Sequence, residues 1–445
     1  MKGRPCGITL ALRHLSTSAT CPPSASERRS EMLRETFPRT EAVPASVPDW
    51  SSVTHHLGFA PVFDRFAAGA AERDTGRHLI FDETKELKRL GFGALRIDLE
   101  DRASLTLPEF FPVVRDLAAA DPNIAHVFRN HFFAVETHRR TPRARFSNRV
   151  LGLAREGAMF GVAFNEVSKN PAGGVNYLPS AGLEPDGDGF RISGTKIYST
   201  GNIYADFLFA SAVDADGEAR QFFIPTSAEG VLLEDDWDGF GQKLTGSGKT
   251  VFDRVRVDSS DLYDLSQRGP DEPFLYGYTF HQIYLTTIIS GIVDRILRDA
   301  VDLIRARKRN FYHALHDHPS EEPELQSVVG RIAAYRAAIG AVTERAAAAL
   351  DRAWAGAEGP DAGELSISAS IAAAEAKVVT DETAAVLASL LIDVSSGSGV
   401  SASRALDRHW RNIKVISAHN PRVYKERILG DHYLNGTAPP TGAFF

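Results

Sequence analysis

Three stretches of the chain place proton-transfer and hydroxyl groups where chemistry can be done. The first is the closing segment, in which Arg408-His-Trp-Arg-Asn412 leads to His419-Asn-Pro-Arg-Val-Tyr-Lys425, then Gly430 and Leu434-Asn-Gly436. His419 can move a proton near neutral pH, because the ordinary imidazole pKa lies there. The second stretch is Ala125-His-Val-Phe-Arg-Asn-His-Phe132. His126 and His131 both sit in a helical pattern there and compete for an inward-facing place, and the sequence does not separate them. The third is Gly194-Thr-Lys-Ile-Tyr-Ser-Thr-Gly201, a β-rich run that ends in hydroxyl groups.

Other clusters have blander readings. Arg305-Ala-Arg-Lys-Arg309 ordinarily marks a solvated basic helix face. Ser395-Ser-Gly-Ser-Gly399 is small enough for backbone N–H groups to approach an anion at a last-helix turn, and it reads equally as helix punctuation. His313, His316 and His318 have metal-like spacing, but their acidic, Pro-bounded surroundings without Cys favour a solvated loop and no metal. No Gly-x-Gly-x-x-Gly follows a strand at the start of a βαβ unit, so a nicotinamide site within the chain is not expected.

The elements that must position these groups change period twice. Residues 54–155 read as helical, with runs at 83–90, 108–120 and 123–138, the last carrying Ile124, Val127, Phe128 and Phe132 at helical spacing. From 157 to 258 the period becomes two, with β-rich runs at 159–164, 190–198, 207–212, 221–224 and 250–257 separated by turn signals such as Pro185-Asp-Gly-Asp-Gly189. Long Ala-rich helical runs at 276–311, 325–354, 365–395 and 402–417 then predict a bundle. The predicted boundaries are an extension over 1–46, a helical domain over 47–156, a β domain over 157–265 and a helical bundle with its tail over 266–445.

Composition narrows the partners. A net charge of -7 offers no basic surface for nucleic acid or anionic membrane, so neither partner is expected. Cys6 and Cys21 are too few for a disulfide framework or a cysteine metal site, which suits a reducing, cytoplasmic setting. The first 26 residues are basic, acid-free and rich in Ser and Thr, which fits either an organellar transit peptide or a disordered extension. No unbroken apolar run of about 18 residues predicts a membrane span.

Taken in order, the motifs resemble those of the flavin-dependent monooxygenases of the acyl-CoA dehydrogenase superfamily. In that family Trp-Arg-Asn, a short helical run, His, Asp/Asn-Pro, Tyr-Lys, Gly and Leu-Asn-Gly close the active site. The likeness runs from about residue 60 to Phe445 and takes in Gly194 to Gly201 followed by Ala205-Asp-Phe-Leu-Phe209, where dehydrogenases carry Gly-x-Lys-x-Trp-Ile-Thr-Asn. Asp235-Asp-Trp-Asp-Gly-Phe-Gly241, Thr245-Gly-Ser-Gly248 and Phe252-Asp-Arg-Val-Arg-Val257 continue it.

The resemblance implies an α+β acyl-CoA dehydrogenase fold with an N-terminal helical domain, a central β-barrel-like domain and a C-terminal four-helix bundle. It implies a two-component enzyme that takes reduced flavin from a separate flavin reductase. With O2, through a C4a-(hydro)peroxyflavin, such an enzyme oxygenates a sulfur, nitrogen or aromatic carbon atom of a small organic substrate. It also implies a homotetramer and FMN, with FAD as the alternative. His419 and His131 would be the acid/base groups and Thr200 the partner of flavin N5. Ser199, Phe164, Arg309, Ser398 and Gly399 would line the cofactor, Arg309 holding its phosphate across a subunit boundary. His126, Tyr198 and Ile416 would face substrate.

The chain departs from the pattern in places. Ser398 stands where desulfurising members carry Arg, which leaves FMN versus FAD open. Val162, Val167 and Ile416 replace Asn, Asn and His, so a less polar pocket is expected. A true acyl-CoA dehydrogenase acting on a thioester with FAD needs a catalytic Glu, and the usual Tyr-Glu-Gly-Thr stretch is replaced by the His419-Asn-Pro tail. A non-catalytic scaffold of the same fold would fail to bind flavin.

Overall fold

The computed structural model describes residues 49–140, 145–167, 180–263 and 276–441. The extension over 1–46, with Cys6 and Cys21, lies outside the described residues.

The helical segment contains α1 (Ser52–His56), α2 (Ala60–Gly76), α3 (Phe81–Arg89), α4 (Leu107–Ala120), α5 (Pro122–Arg139) and α6 (Arg145–Arg155). α4 starts on a capping box, in which Glu109 accepts the Thr106 N–H at 2.8 Å. Asp121 caps α5 by accepting the Asn123 N–H at 3.0 Å, and Pro122 fills the first helical position, where its missing N–H costs nothing. α5 is buried almost all round, polar residues included. Its apolar periodicity therefore could not show which face carries function.

β1 (Phe160–Ala163), β2 (Gly182–Asp186), β3 (Gly189–Lys196), β4 (Phe207–Val213), β5 (Ala219–Pro225), β6 (Val231–Leu233), β7 (Thr250–Asp258) and β8 (Leu262–Tyr263) make one mixed sheet. Its order is β6-β7-β3-β2-β4-β5-β8, with β1 parallel to β4. Leu183, Ile192, Leu208, Phe222, Phe252 and their neighbours form its core. The β3–β7 register shifts between Ile192 and Gly194. Gly194 has φ +157° and lies so close to β2 that a Cβ would sit 2.6 Å from the Ala181 Cβ, so a side chain there would be strained and crowded. Beyond this irregularity β3 delivers residues 197–201 to α5.

Three long helices follow: α7 (Tyr276–Ala306), α8 (Pro323–Ala355) and α9 (Ala362–Ser395). They pack on one another, and α4 covers α7, where Arg115 pairs with Asp294 at 2.7 Å. α7 ends five residues before the predicted limit at 311, which leaves Arg309 in a loop. Ser395–Gly399 also differs from expectation: it closes α9 and runs on as a 3₁₀ turn, so it supplies no helix N-terminus. The stretch 362–400 is long and apolar enough to cross a membrane by length and composition, yet α9 is packed against α7 and α8. α10 (Asp407–Ser417) and α11 (Arg422–Asn435) complete the described chain, α11 being a helix within the predicted tail.

Candidate active site

Residues three or four apart share a helix face. On α5, His126, Arg129 and Asn130 accordingly project together, while His131, five positions from His126, turns to another side. Asn123 in the first turn accepts the Leu244 N–H at 3.3 Å and so ties the 242–247 loop to the helix. Gln242 in that loop meets His126, with Oε1 2.9 Å from Nδ1. An amide oxygen only accepts, so Nδ1 carries the imidazole proton. Nε2 is left as a bare acceptor, buried and without a hydrogen-bond partner among the described residues.

α10 ends at Ser417, α11 begins beyond Pro421, and the turn between them presents His419. Arg129 Nη1 donates to His419 Nε2 at 3.0 Å, which makes Nε2 the lone-pair nitrogen and puts the His419 proton on Nδ1. Burial lowers Arg129 to about 10. Burial, followed by the Arg129 charge, lowers His126 to about 3. Burial and then Arg129 also hold His281 of α7 far below the ordinary imidazole value. His419 is shifted down by burial, by Arg129 and by His126. The His419 ring keeps an outer surface open to solvent and turns its other side to Arg129. Three neutral imidazoles thus surround one guanidinium.

The loop after β3 lies against the same helix. Ser199 N–H donates to Gly248 O at 3.0 Å and Gly201 N–H to Thr245 O at 2.9 Å. Gly201 has φ +83°, and a Cβ there would fall 2.8 Å from the Val127 carbonyl of α5, so this approach excludes a side chain. Asn130 Nδ2 donates to Thr200 O at 2.8 Å. The Thr200 hydroxyl lies 2.9 Å from that of Ser247, which lies 2.8 Å from that of Thr245. α10 fixes the other end of the loop: Asn412 Oδ1 accepts the Gln242 N–H at 2.7 Å, and Arg411 donates to Phe240 O at 3.0 Å.

His126, His419, Ser199 and Thr200 are therefore gathered around α5, but His131 is not with them. Its ring stacks on Phe160 at 5.8 Å, Nε2 donates to Gly93 O at 2.8 Å, and Nδ1 accepts the Phe160 N–H at 3.3 Å. Both nitrogens are occupied in the core, where burial lowers the pKa to about 4. Phe164 is half-buried against the cluster of Phe160, Phe209 and Phe223. Tyr198 is 62% exposed and packs edge-on to Trp237. Ile416 is buried on α10, and its carbonyl accepts the His419 N–H at 3.2 Å. Val162 is half-buried and Val167 exposed.

The remaining cofactor candidates lie elsewhere. Arg309 is exposed beyond α7, and it is Arg307 that reaches Val394 O at 3.3 Å. Ser398 is exposed with its hydroxyl on Ser395 O at 3.2 Å, whereas Gly399 is buried. Gly399, Lys243, Asp407 and Arg411 help line a surface cleft of about 460 Å³, which does not include His126, Arg129 or His419. No group of three metal-ligating side chains occurs among the described residues.

Sequence reasoning missed Arg129, Asn130, Gln242, Ser247, His281 and Asn412. Arg129 carried a signal as a cation three residues from His126, while Ser247 and Asn412 lay inside quoted motifs that did not show their partners. Within this cluster the buried atoms His126 Nε2, Gln242 Nε2, His281 Nε2 and Ser199 Oγ have no partner among the described residues. Buried polar atoms are normally matched, so this concentration fits a bound heteroaromatic group with donors and acceptors on its rim.

The family model for the acyl-CoA dehydrogenase C-terminal domain matches residues 284–421. A probable FMNH2-dependent monooxygenase, SfnC, of Pseudomonas putida is 30% identical over 335 residues, covering 74% of this chain and 81% of its own length. Dibenzothiophene monooxygenase of Rhodococcus qingshengii is 27% identical over 399 residues, 85% of this chain and 93% of its own. The solved structure of the methanesulfinate monooxygenase MsuC of Pseudomonas fluorescens has a TM-score of 0.77 at 28% identity, covering 89% of this chain and 100% of that one.

Proposed function

This chain belongs to the flavin-dependent monooxygenases of the acyl-CoA dehydrogenase superfamily, and from that premise we propose that it accepts reduced FMN from a separate reductase and oxygenates a small organic substrate at sulfur. The names of similar proteins support the choice of cofactor and atom: one is described as FMNH2-dependent, and two are named for sulfur compounds. The single observation that carries the reading is the set of neutral imidazoles around Arg129, beside a hydroxyl loop with unmatched buried polar atoms.

Bound reduced FMN supplies the two electrons with which O2 gives one oxygen atom to substrate and the other to water. The chain supplies position and protons. Thr200, held through its carbonyl by Asn130, is the partner for the flavin N5 position, with the Ser199 hydroxyl beside it. His419 can direct its Nδ1–H as a hydrogen-bond donor at the reacting oxygen while Arg129 holds Nε2, and His126 can offer its Nε2 lone pair as an acceptor while Gln242 holds Nδ1. On the inner side of the site His126, Arg129, Ser199 and Thr200 are buried, and a dry inner wall limits the water that would otherwise drain reducing power into hydrogen peroxide. We assign Arg309, Ser398 and Gly399, which stand outside this cluster, to the phosphate of a cofactor seated in a neighbouring copy of a homotetramer; a planar guanidinium fork suits phosphate. Dehydrogenation of a thioester is not favoured: the tail carries His419-Asn-Pro where such an enzyme has the stretch with its catalytic Glu.

The test supplies purified chain with FMN, NADH and a flavin reductase under 18O2, with dibenzothiophene and methanesulfinate as probes. One labelled oxygen in the product, dependent on the reductase, is expected. NADH oxidation by the chain alone, or oxygenated product without label, would contradict the reading.

A further inference from the structure

A hydroxyl group has one hydrogen and can fill one donor role at a time. Thr200, Ser247, Thr245 and the Gln242 carbonyl form a file of three contacts, at 2.9, 2.8 and 2.8 Å. The file ends on a carbonyl, which can only accept, so the Thr245 hydrogen points to Gln242 O. Ser247 must then donate to Thr245, and Thr200 to Ser247, for every contact to contain a hydrogen. All four residues are less than a tenth exposed, so water does not compete for these hydrogens. The Thr200 oxygen is thereby left with lone pairs and no hydrogen to offer a ligand.

We propose that Ser247 is a specificity-determining residue that makes the site prefer reduced over oxidised flavin, by fixing the Thr200 hydroxyl as an acceptor. The inference rests on the placement of flavin N5 beside Thr200 in the reading above. Reduced flavin carries a hydrogen on N5 and is a donor there, whereas oxidised flavin presents a lone pair. A Thr200 locked as an acceptor matches the first and opposes the second. The device suits a protein that receives its flavin already reduced, because the oxidised product is released in favour of the next reduced molecule. Without Ser247, or without Thr245 to receive the Ser247 hydrogen, the Thr200 hydrogen is free to turn to the flavin and the preference fades.

The experiment compares dissociation constants for oxidised FMN and for FMN reduced under anaerobic conditions, in the full chain and in Ser247→Ala, Thr245→Val and Thr200→Val. The unaltered chain should bind reduced FMN at least about tenfold more tightly. Ser247→Ala should cut that ratio about tenfold, chiefly by tighter binding of oxidised FMN, and the bound flavin's potential should fall by about 30 mV, the two-electron equivalent of tenfold. Thr245→Val should act in the same direction, which keeps the test open if one variant fails to fold. Thr200→Val should lose the preference through weaker binding of reduced FMN. If Thr200→Val lowers the ratio but Ser247→Ala and Thr245→Val leave it unchanged, the flavin is at Thr200 and the proposed control by Ser247 is wrong. If no variant changes the ratio, the placement of flavin at Thr200 is wrong, and the proposal falls with it.

Discussion

Arg129 Nη1 lies 3.0 Å from His419 Nε2, joining side chains 290 positions apart in the chain. Because a guanidinium only donates, the contact dictates which imidazole nitrogen of His419 holds the proton. A second proton would bring two donors together beside a positive charge, so the pair keeps His419 neutral.

His419→Ala should leave FMN binding nearly intact while product formation falls by about a hundredfold or more, the usual contribution of positioned proton transfer. Flavin titration and turnover with the reductase, measured on the same preparation, decide this. Wild-type turnover in the variant would remove His419 from the chemistry.

Arg129→Gln removes a charge that lowers His419, so the His419 pKa should rise toward the ordinary value. The acidic limb of the pH–rate profile should then move to higher pH, since protonation sets in earlier as pH falls. A limb that stays in place would mean that another group governs it.

The order of helical, β and helical segments was legible because the hydrophobic period changes from 3.6 to two and back. The choice between His126 and His131 was not, since α5 is buried on all sides and apolar spacing marks no face. Arg129 shows what was recoverable: it lies three residues from His126, on the same side of the helix. The contacts of Gln242, Ser247 and Asn412 were out of reach because they are made between residues far apart in the chain, as when Asn412 takes the Gln242 N–H. The end of α7 before Arg309 and the 3₁₀ turn after Ser395 lie at helix ends, where helices fray and local sequence fixes the boundary least.

His131→Ala should behave as a core defect, costing about 2–4 kcal/mol of stability through a cavity and an unmatched Gly93 carbonyl. The pH dependence follows from linkage. Folding lowers His131 from its ordinary 6.5 to about 4, so the unfolded chain binds the extra proton first, and stability is lost as pH falls from 6.5 toward 4. Denaturant unfolding at pH 7 and pH 5 should show this share of the loss missing in the variant. Unchanged stability at pH 7 would contradict the core role.

Arg309→Ala should weaken FMN binding about tenfold to a hundredfold, the expected loss for a charged phosphate contact of about 1.5 to 3 kcal/mol. Arg305→Ala, at the end of α7, is the control for general screening at fixed salt. Equal effects from the two substitutions would place the phosphate elsewhere.

The most direct measurement mixes anaerobically reduced FMN, bound to the chain without substrate, with oxygenated buffer and follows the return of the oxidised-flavin spectrum. A protein built to hold activated oxygen in a dry site should delay that return well beyond the time taken by free reduced FMN under the same conditions. Return as fast as that of free FMN, with the chain shown to be saturated, would contradict the monooxygenase account of this site.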